Sequence, residues 1–412
     1  MKTFCLVFAI FVLAITSTVV AFAQPDSLWS HIYGGSGFES CNAVQQTSDG
    51  GYILAGQTDS YGAGYDDFWA VKTDANGDTL WTRTYGGSST DDCRSVKQTS
   101  DGGYIFAGVN RSINHVDCAW LVKTDANGDT LWTRIFPEGS SFNVVLQTSD
   151  GGYVMGGNKP SPNYNAWLVR TDSSGSQLWS HNYGGTEGES CESLQQTSDG
   201  GFIIGGITLS FGAGNQDYWL LKTDANGDSL WSHTYGTSGQ EFGHSVVQTS
   251  DGGYAMMGTA RGFGGLQDFW LVRTDENGDS LWSRVYGGSV DDPGTWIEQT
   301  SDNGFILAGY TESYAMQYYN FWLIRTDENG DTLWTAVYGD LDHQYCYDAA
   351  ITTDGGYIMV GRTNGFGAQN NDFWVLKTER DPLWVPPDVF NLVSPLDEDT
   401  VWTLVPTVDW ED

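Results

Sequence analysis

Positive charge is scarce in this sequence. Against 52 Asp and Glu there are 18 Lys and Arg in 412 residues, a formal net charge of −34. So one-sided a surface repels phosphate backbones and anionic lipid, and this argues against nucleic acid as a partner. Cations, basic proteins and neutral sugars are what the charge leaves open. Long apolar runs are also missing. Beyond the first 23 residues nothing approaches the ~20 apolar residues of a spanning helix, so membrane insertion is not expected. No HExxH, CxxC pair, phosphate-cradling Gly-rich loop or nucleophile elbow occurs, so no familiar catalytic motif names a reaction.

The N-terminus reads as a leader. Lys2 precedes an apolar stretch from Phe4 to Ile15, and Ala21-Phe22-Ala23 forms a small-x-small cleavage site, so residues 1–23 are expected to be a cleaved signal peptide. The mature chain is then secreted or displayed at the cell surface. Cys5 leaves with the leader, and the odd number of cysteines remaining forbids complete internal pairing. Cys41, Cys93, Cys191 and Cys346 share one repeat position, which predicts small buried core residues rather than disulfides.

What the chain has in abundance is repetition. TSDGG begins at positions 47, 99, 148, 197 and 249, with TSDNG at 300 and TTDGG at 352, a spacing of 49 to 52 residues. Each period reads as four strands rich in Val, Ile, Tyr, Phe, Trp and Thr, punctuated by Gly, Asn and Asp. Seven four-stranded units predict an all-β, seven-bladed β-propeller over residues 24–385. The lone strand SLWSHIYGG at 27–35 is expected to complete the last blade, whose own fourth strand degenerates at ERDPLWVPPD.

The second repeated motif, KTDANGDTLW at 72–81, poses a choice between a calcium loop and a hairpin turn. Asn-Gly between strand-like runs is a strong hairpin signal. An EF-hand-type loop would need Gly at its sixth position and Glu at its twelfth, whereas Gly77 is fourth from Asp74. A basic residue also precedes each copy (Lys72, Lys123, Arg170, Lys222, Arg273, Arg325, Lys377) and would offset a cation. The turn reading is preferred; no cofactor is expected, and calcium is the one left open. Trp81 and its equivalents, together with Trp69 and its equivalents, predict two aromatic rings packed between blades.

The units QTSDGGYILAG at 46–56 and DYWLLKTDANGDSLW at 217–231 resemble the tandem repeats of exported bacterial β-propeller proteins. That resemblance covers residues 27 to about 384 and implies a repeat type, not an activity. The Asp74, Gly77 and Trp81 spacing is similar to the tryptophan-docking motif of quinoprotein propellers; this implies blade packing and carries no cofactor over. Residues 386–412 resemble the start of an immunoglobulin-like or fibronectin-like module, too short to form one.

Function is expected on one face. The SDGG and ANGD turns share a near-identical face, while the loops from second to third strand and between blades share the other and vary. Five acids recur on the variable face just before the first strand: Glu39, Asp91, Glu189, Glu241 and Asp292, with Ser140 and Gln344 in the remaining blades. They are expected around the channel mouth, as a cation or basic-ligand site or as surface charge. Tyr61, Phe211 and Tyr318 are candidate ligand contacts, with Asn110 and Phe263 near them. The expectation is a monomeric module binding a protein, a glycan or a cation; a structural surface component and a propeller enzyme (lyase, hydrolase or oxidoreductase) are the alternatives.

Overall fold

The computed structural model describes residues 23–386 apart from 113–114, 162, 262–265, 316 and 369. Residues 1–22, nearly all of the expected leader, and the segment from 387 onward lie outside the described residues. Among the described residues there are 28 strands and no helix, hence no helix able to cross a membrane. The strands form seven four-stranded antiparallel sheets. The second strand of each blade packs on the first strand of the next, and blade seven packs on blade one, so the ring is closed. This is the expected seven-bladed propeller.

Closure happens as the sequence implied. Ser27–Tyr33 pairs antiparallel with Asp372–Thr378, the third strand of blade seven. In most blades the Tyr ending the fourth strand donates its hydroxyl to the hairpin glycine of the next blade, as Tyr85 does to the Gly128 carbonyl at 2.7 Å. Blade seven has no such hairpin, and Tyr338 finds the Pro25 carbonyl instead, at 2.6 Å.

The repeated face is held by two devices, a hairpin used six times and an ion-paired turn used seven times. Asp74 Oδ1 accepts the Asn76 and Asp78 amides at 2.8 and 2.9 Å, and Gly77 between them takes a φ of 85° that side chains resist. In the other turn Asp49 accepts from the Thr47 hydroxyl and the Gly51 amide at 2.5 and 3.0 Å. Buried Lys72 joins the two turns by its ion pair to Asp49, 3.0 Å long. Asp101–Lys123, Asp150–Arg170, Asp199–Lys222, Asp251–Arg273, Asp302–Arg325 and Asp354–Lys377 repeat that pair. The basic residue before each DANGD run therefore serves the neighbouring turn.

Both tryptophan rings exist, but they are not equally deep. Third-strand Trp69, Trp120, Trp167, Trp219, Trp270, Trp322 and Trp374 are buried. Those of the outermost strands, such as Trp29 and Trp81, are half-buried except for buried Trp334, and most meet the next blade's second-strand ring edge-on, as in Trp81–Tyr104 at 5.8 Å. The repeated cysteines are free and buried, as expected.

Candidate functional site

Each first strand lines the axial channel, and each carries a β-bulge at the same place, since the register slips between the residues flanking one position. Bulges re-aim a side chain and recur beside functional sites. The bulged residues are Asn42, Arg94, Asn143, Glu192, His244, Thr295 and Tyr347, and all seven line a cavity of about 460 Å³ along the axis. One unlike polar residue per blade thus enters the channel from an otherwise repeated frame.

Part of this ring is a hydrogen-bonded belt. Asn42 donates to the Cys93 carbonyl at 2.9 Å, Asn143 to the Cys191 carbonyl at 2.9 Å, and Thr295 to the Cys346 carbonyl at 3.3 Å. Arg94 donates to Asn143 Oδ1 at 2.6 Å, and Asn143 reaches Glu192 Oε2 at 3.3 Å. Next in the ring stands His244. Burial in the channel wall pushes its imidazole below the usual range, while the Glu192 charge pulls the other way. Deeper in the channel, burial raises Asp348 to about 6 against the pull of Lys97.

On the variable face the channel opens into a second cavity of about 430 Å³, whose lining includes Glu192, His244, Tyr310, Tyr347 and Arg261. An aromatic wall continues outward over blades six and seven. His343, just before the first strand of blade seven, and Tyr345 and Tyr347 within it stack face to face in turn, at 5.6 and 6.5 Å between centroids. Tyr319 stands 5.3 Å from Tyr345, Tyr310 5.2 Å from Tyr319, and Tyr318 4.7 Å from His343. Arg362 lies over the Tyr345 ring at 4.7 Å and the Phe38 ring at 5.4 Å, and its buried Nε has no hydrogen-bond partner. These rings are half-buried.

The expected site residues separate in the structure. Tyr318 belongs to the aromatic wall. Tyr61 packs on Trp69 of its own blade at 5.5 Å and bonds the Gly34 carbonyl, and Phe211 lies 6.5 Å from Trp219, so both cap their blades instead of converging. Asn110 is buried, and Phe263 lies outside the described residues.

The five acids require a correction. Glu39, Asp91, Glu189, Glu241 and Asp292 are no more than 2 % exposed and do not form an open ring at the channel mouth. Their carboxylates are occupied by local donors: Glu39 by the Gly35 amide, the Thr58 hydroxyl and the Ser60 amide at 3.0, 2.8 and 3.2 Å. Asp91 takes the Gly87 amide and the Ser112 hydroxyl at 2.9 and 2.7 Å, and Glu189 the Gly185 amide at 3.0 Å. Thr237 serves Glu241 with both amide and hydroxyl, and Gly288 serves Asp292 at 2.8 Å. Folding the loop start back over the first strand buries these acids.

The bulge ring went unread in the sequence, yet it leaves a signal there. The residue after the repeated Cys, Gly or (in blade three) Phe142 runs Asn, Arg, Asn, Glu, His, Thr, Tyr around the blades. His31, His181 and His233 are packing residues: each stacks beside a Trp and a Tyr, and His31 also bonds the Asn76 carbonyl of the next hairpin at 3.0 Å. Among the described residues no group of three or more His, Cys, Asp or Glu is placed to hold a metal ion.

Fold and site together define a seven-bladed β-propeller with a differentiated channel and one aromatic sector. No protein-family model and no curated protein sequence matches the chain. Among solved structures it is similar to a periplasmic gluconolactonase of Pseudomonas aeruginosa, at 8% identity and a TM-score of 0.52 over 80% of this chain and 96% of that one. It is also similar to Sqt1 from Chaetomium thermophilum, at 13% identity and a TM-score of 0.50 over 82% and 84% of the two chains. At such identities the likeness shows the propeller fold alone.

Proposed function

We propose that this propeller is an exported binding module that seats a glycan on its variable face, along the aromatic wall of blades six and seven. The observation that carries the reading is the continuous run of Tyr310, Tyr318, Tyr319, His343, Tyr345 and Tyr347 from the outer loops to the channel rim. Flat rings with hydroxyl edges match the apolar faces and polar rims of sugars, and a groove ending in a polar cavity fixes one end of such a chain. Neutral sugars also suit so acidic a protein.

The test is a glycan-binding screen of the chain from Gln24 onward, with and without calcium, beside the Tyr318→Ala and Tyr345→Ala variants. Binding that weakens in both variants supports the reading; a protein ligand with no glycan among the hits overturns it.

A propeller enzyme is the second reading, favoured by Glu192 and His244 together at the cavity. A carboxylate beside an imidazole held neutral is a general acid–base pair in form. Release of products from a bound polysaccharide by the parent chain but not by Glu192→Gln would establish it.

A further inference from the structure

We propose that four of the seven blade junctions are each closed by one proton shared between two carboxyl groups, and that these protons fasten the variable loops. Four of the buried acids described above face an Asp that begins the third strand of the preceding blade. The pairs are Asp372 with Glu39, Asp67 with Asp91, Asp217 with Glu241, and Asp268 with Asp292. The glycine ahead of the first strand makes room for the meeting. At Gly34, Gly86 and Gly236 a Cβ would collide with oxygens of both carboxyls of the local pair.

The hydrogen-bond pattern shows what is missing between them. Asp67 Oδ2 accepts the Ala63 and Gly64 amides of the variable loop at 2.7 and 3.3 Å, and Asp217 Oδ2 accepts the Gly214 amide at 3.2 Å. The other oxygen, Oδ1, is buried without a partner in Asp67, Asp217, Asp268 and Asp372 alike. The same atom is orphaned in four blades, each time toward a second carboxyl. Two bare carboxylates in that position would repel, and a buried acceptor without a donor is costly.

The remaining junctions reveal what the position does. Blade six has Asn320 there, facing Gln344, and its amide nitrogen donates to Gln344 Oε1. Blade three has Asn165 close to Glu189 across Gly184, and blade two has Cys118 with Ser140 at the next blade's acid position. Where an amide replaces the Asp, it can supply an N–H to the neighbouring blade. An Asp does the same only when protonated. A cation between the carboxyls fits less well, because their other oxygens already accept N–H and O–H donors, whereas calcium gathers six to eight oxygens.

The acid strengths agree with this arrangement. Burial, then the charges of Asp292 and Asp291, raise Asp268 to about 6. Burial, then the hydrogen bond and charge of Glu39, raise Asp372 to about 7. Burial also raises Asp67, opposed by the loop amides and reinforced by Asp91. The other ionisable groups around the pairs are Asp59 beside Glu39, Asp66, Asp92 and Arg111 around Asp67, Tyr218 against Glu241, and Tyr314 near Asp292. Arg111 is engaged by Asp117. Since folding raises these pKa values above the ~3.9 of a free Asp, the stabilisation is complete below pH ~4 and is lost as pH rises toward 7. The loops so fastened carry Tyr61 and Phe211, and the consequence for ligand binding rests on the glycan reading above.

The experiment compares the chain from Gln24 with a variant carrying Asp67→Asn, Asp217→Asn, Asp268→Asn and Asp372→Asn, melted between pH 4.5 and 8.5 with EDTA or with calcium. The shared proton predicts that the variant melts higher than the parent at pH 8 and that its melting temperature falls less from pH 5 to 8. A variant that melts no higher at pH 8, or a parent that calcium stabilises and EDTA destabilises there, overturns the proposal. Should the fourfold variant not fold, infrared spectra at pH 6 decide with Asp372→Asn alone. A protonated-carboxyl band that weakens in that variant supports the shared proton, and its absence from the parent overturns it. Glycan binding in the same buffers is scored separately: a stabilised variant with no glycan binding by either protein leaves the protons standing and removes the binding reading.

Discussion

The two faces of the disc are built by opposite rules. On one, seven Asp–Lys or Asp–Arg pairs tie seven SDGG-type turns to the end of the third strand, with six Asx-type hairpins beside them. On the other, one blade offers a histidine where another offers an arginine, and a connected cluster of aromatic rings forms over blades six and seven. The first face is the same problem solved repeatedly, which is the turn geometry of a four-stranded blade. The second is where, among the described residues, the blades differ most, apart from the missing hairpin of blade seven on the first face.

The comparison is most at risk in the ring itself, because both faces exist only if the ring closes. Deleting residues 24–36 removes the strand that pairs with Asp372–Thr378 and uncovers a sheet edge. The expected outcome is aggregation or a large drop in melting temperature, read by light scattering and calorimetry; an unchanged melt would break the closed ring. A smaller loss is expected from Gly77→Val. It places a β-branched residue at a φ of 85° and drives its Cβ toward the Trp29 and His31 rings. Backbone strain plus displaced packing should cost about 2–4 kcal/mol in denaturant titration.

Acidity separates the faces. On the repeated face, hydrogen bonds from Thr99, Lys123 and Gly103 outweigh the upward push of burial and hold Asp101 at about 2. Hydrogen bonds from Thr148 and Gly152, with the Arg170 charge, do the same for Asp150. A carboxyl depressed by folding stabilises above its free pKa of ~3.9, and that stability is lost as pH falls toward 2. The paired carboxyls under the variable loops lose theirs as pH rises toward 7. Melting temperature should therefore peak near pH ~4–5, and Asp101→Asn should flatten only the acid limb. A melt that falls steadily from pH 8 to 2 would contradict this division.

How far the sequence reveals this arrangement follows from the same contrast. The fold was legible because a period near 50, Asn-Gly turns and a spare N-terminal strand each have one physical meaning, and they agree. Tyr318 was legible as an aromatic in a variable loop. The bulge ring was not, because alternation alone gives no reason for Asn42 or His244 to face the channel; the bulge that turns them inward depends on pairing with the second strand. Burial of Glu39 and its equivalents was hidden for a related reason. A carboxylate at a loop start looks solvated until the loop folds back and supplies Ser60 and Thr58 as donors.

A more modest effect is expected in the aromatic sector. Tyr345→Ala removes a ring that touches His343, Tyr319, Tyr310 and Arg362, and loses about 1–1.5 kcal/mol of stacking, or roughly tenfold in glycan affinity. Tyr61→Ala, which uncovers only Trp69, should leave affinity unchanged in the same titration. Equal losses in the two variants would remove the distinction between the sector and the rest of the variable face.

The smallest effect should come from the motif that looks most like chemistry. In the DANGD hairpin Asp74 uses one oxygen to accept two backbone amides, and Asp78 is exposed. An asparagine offers the same acceptor oxygen in the same place, and the turn depends on Gly77 for its positive φ rather than on charge. Replacing Asp74 and Asp78 together by Asn should therefore leave the melting temperature within ~1 °C and calcium uptake unchanged, measured by calorimetry with and without the ion. If the double variant instead loses a calcium-dependent rise in melting temperature that the parent shows, the hairpins bind the ion, and the repeated face carries chemistry as well as structure.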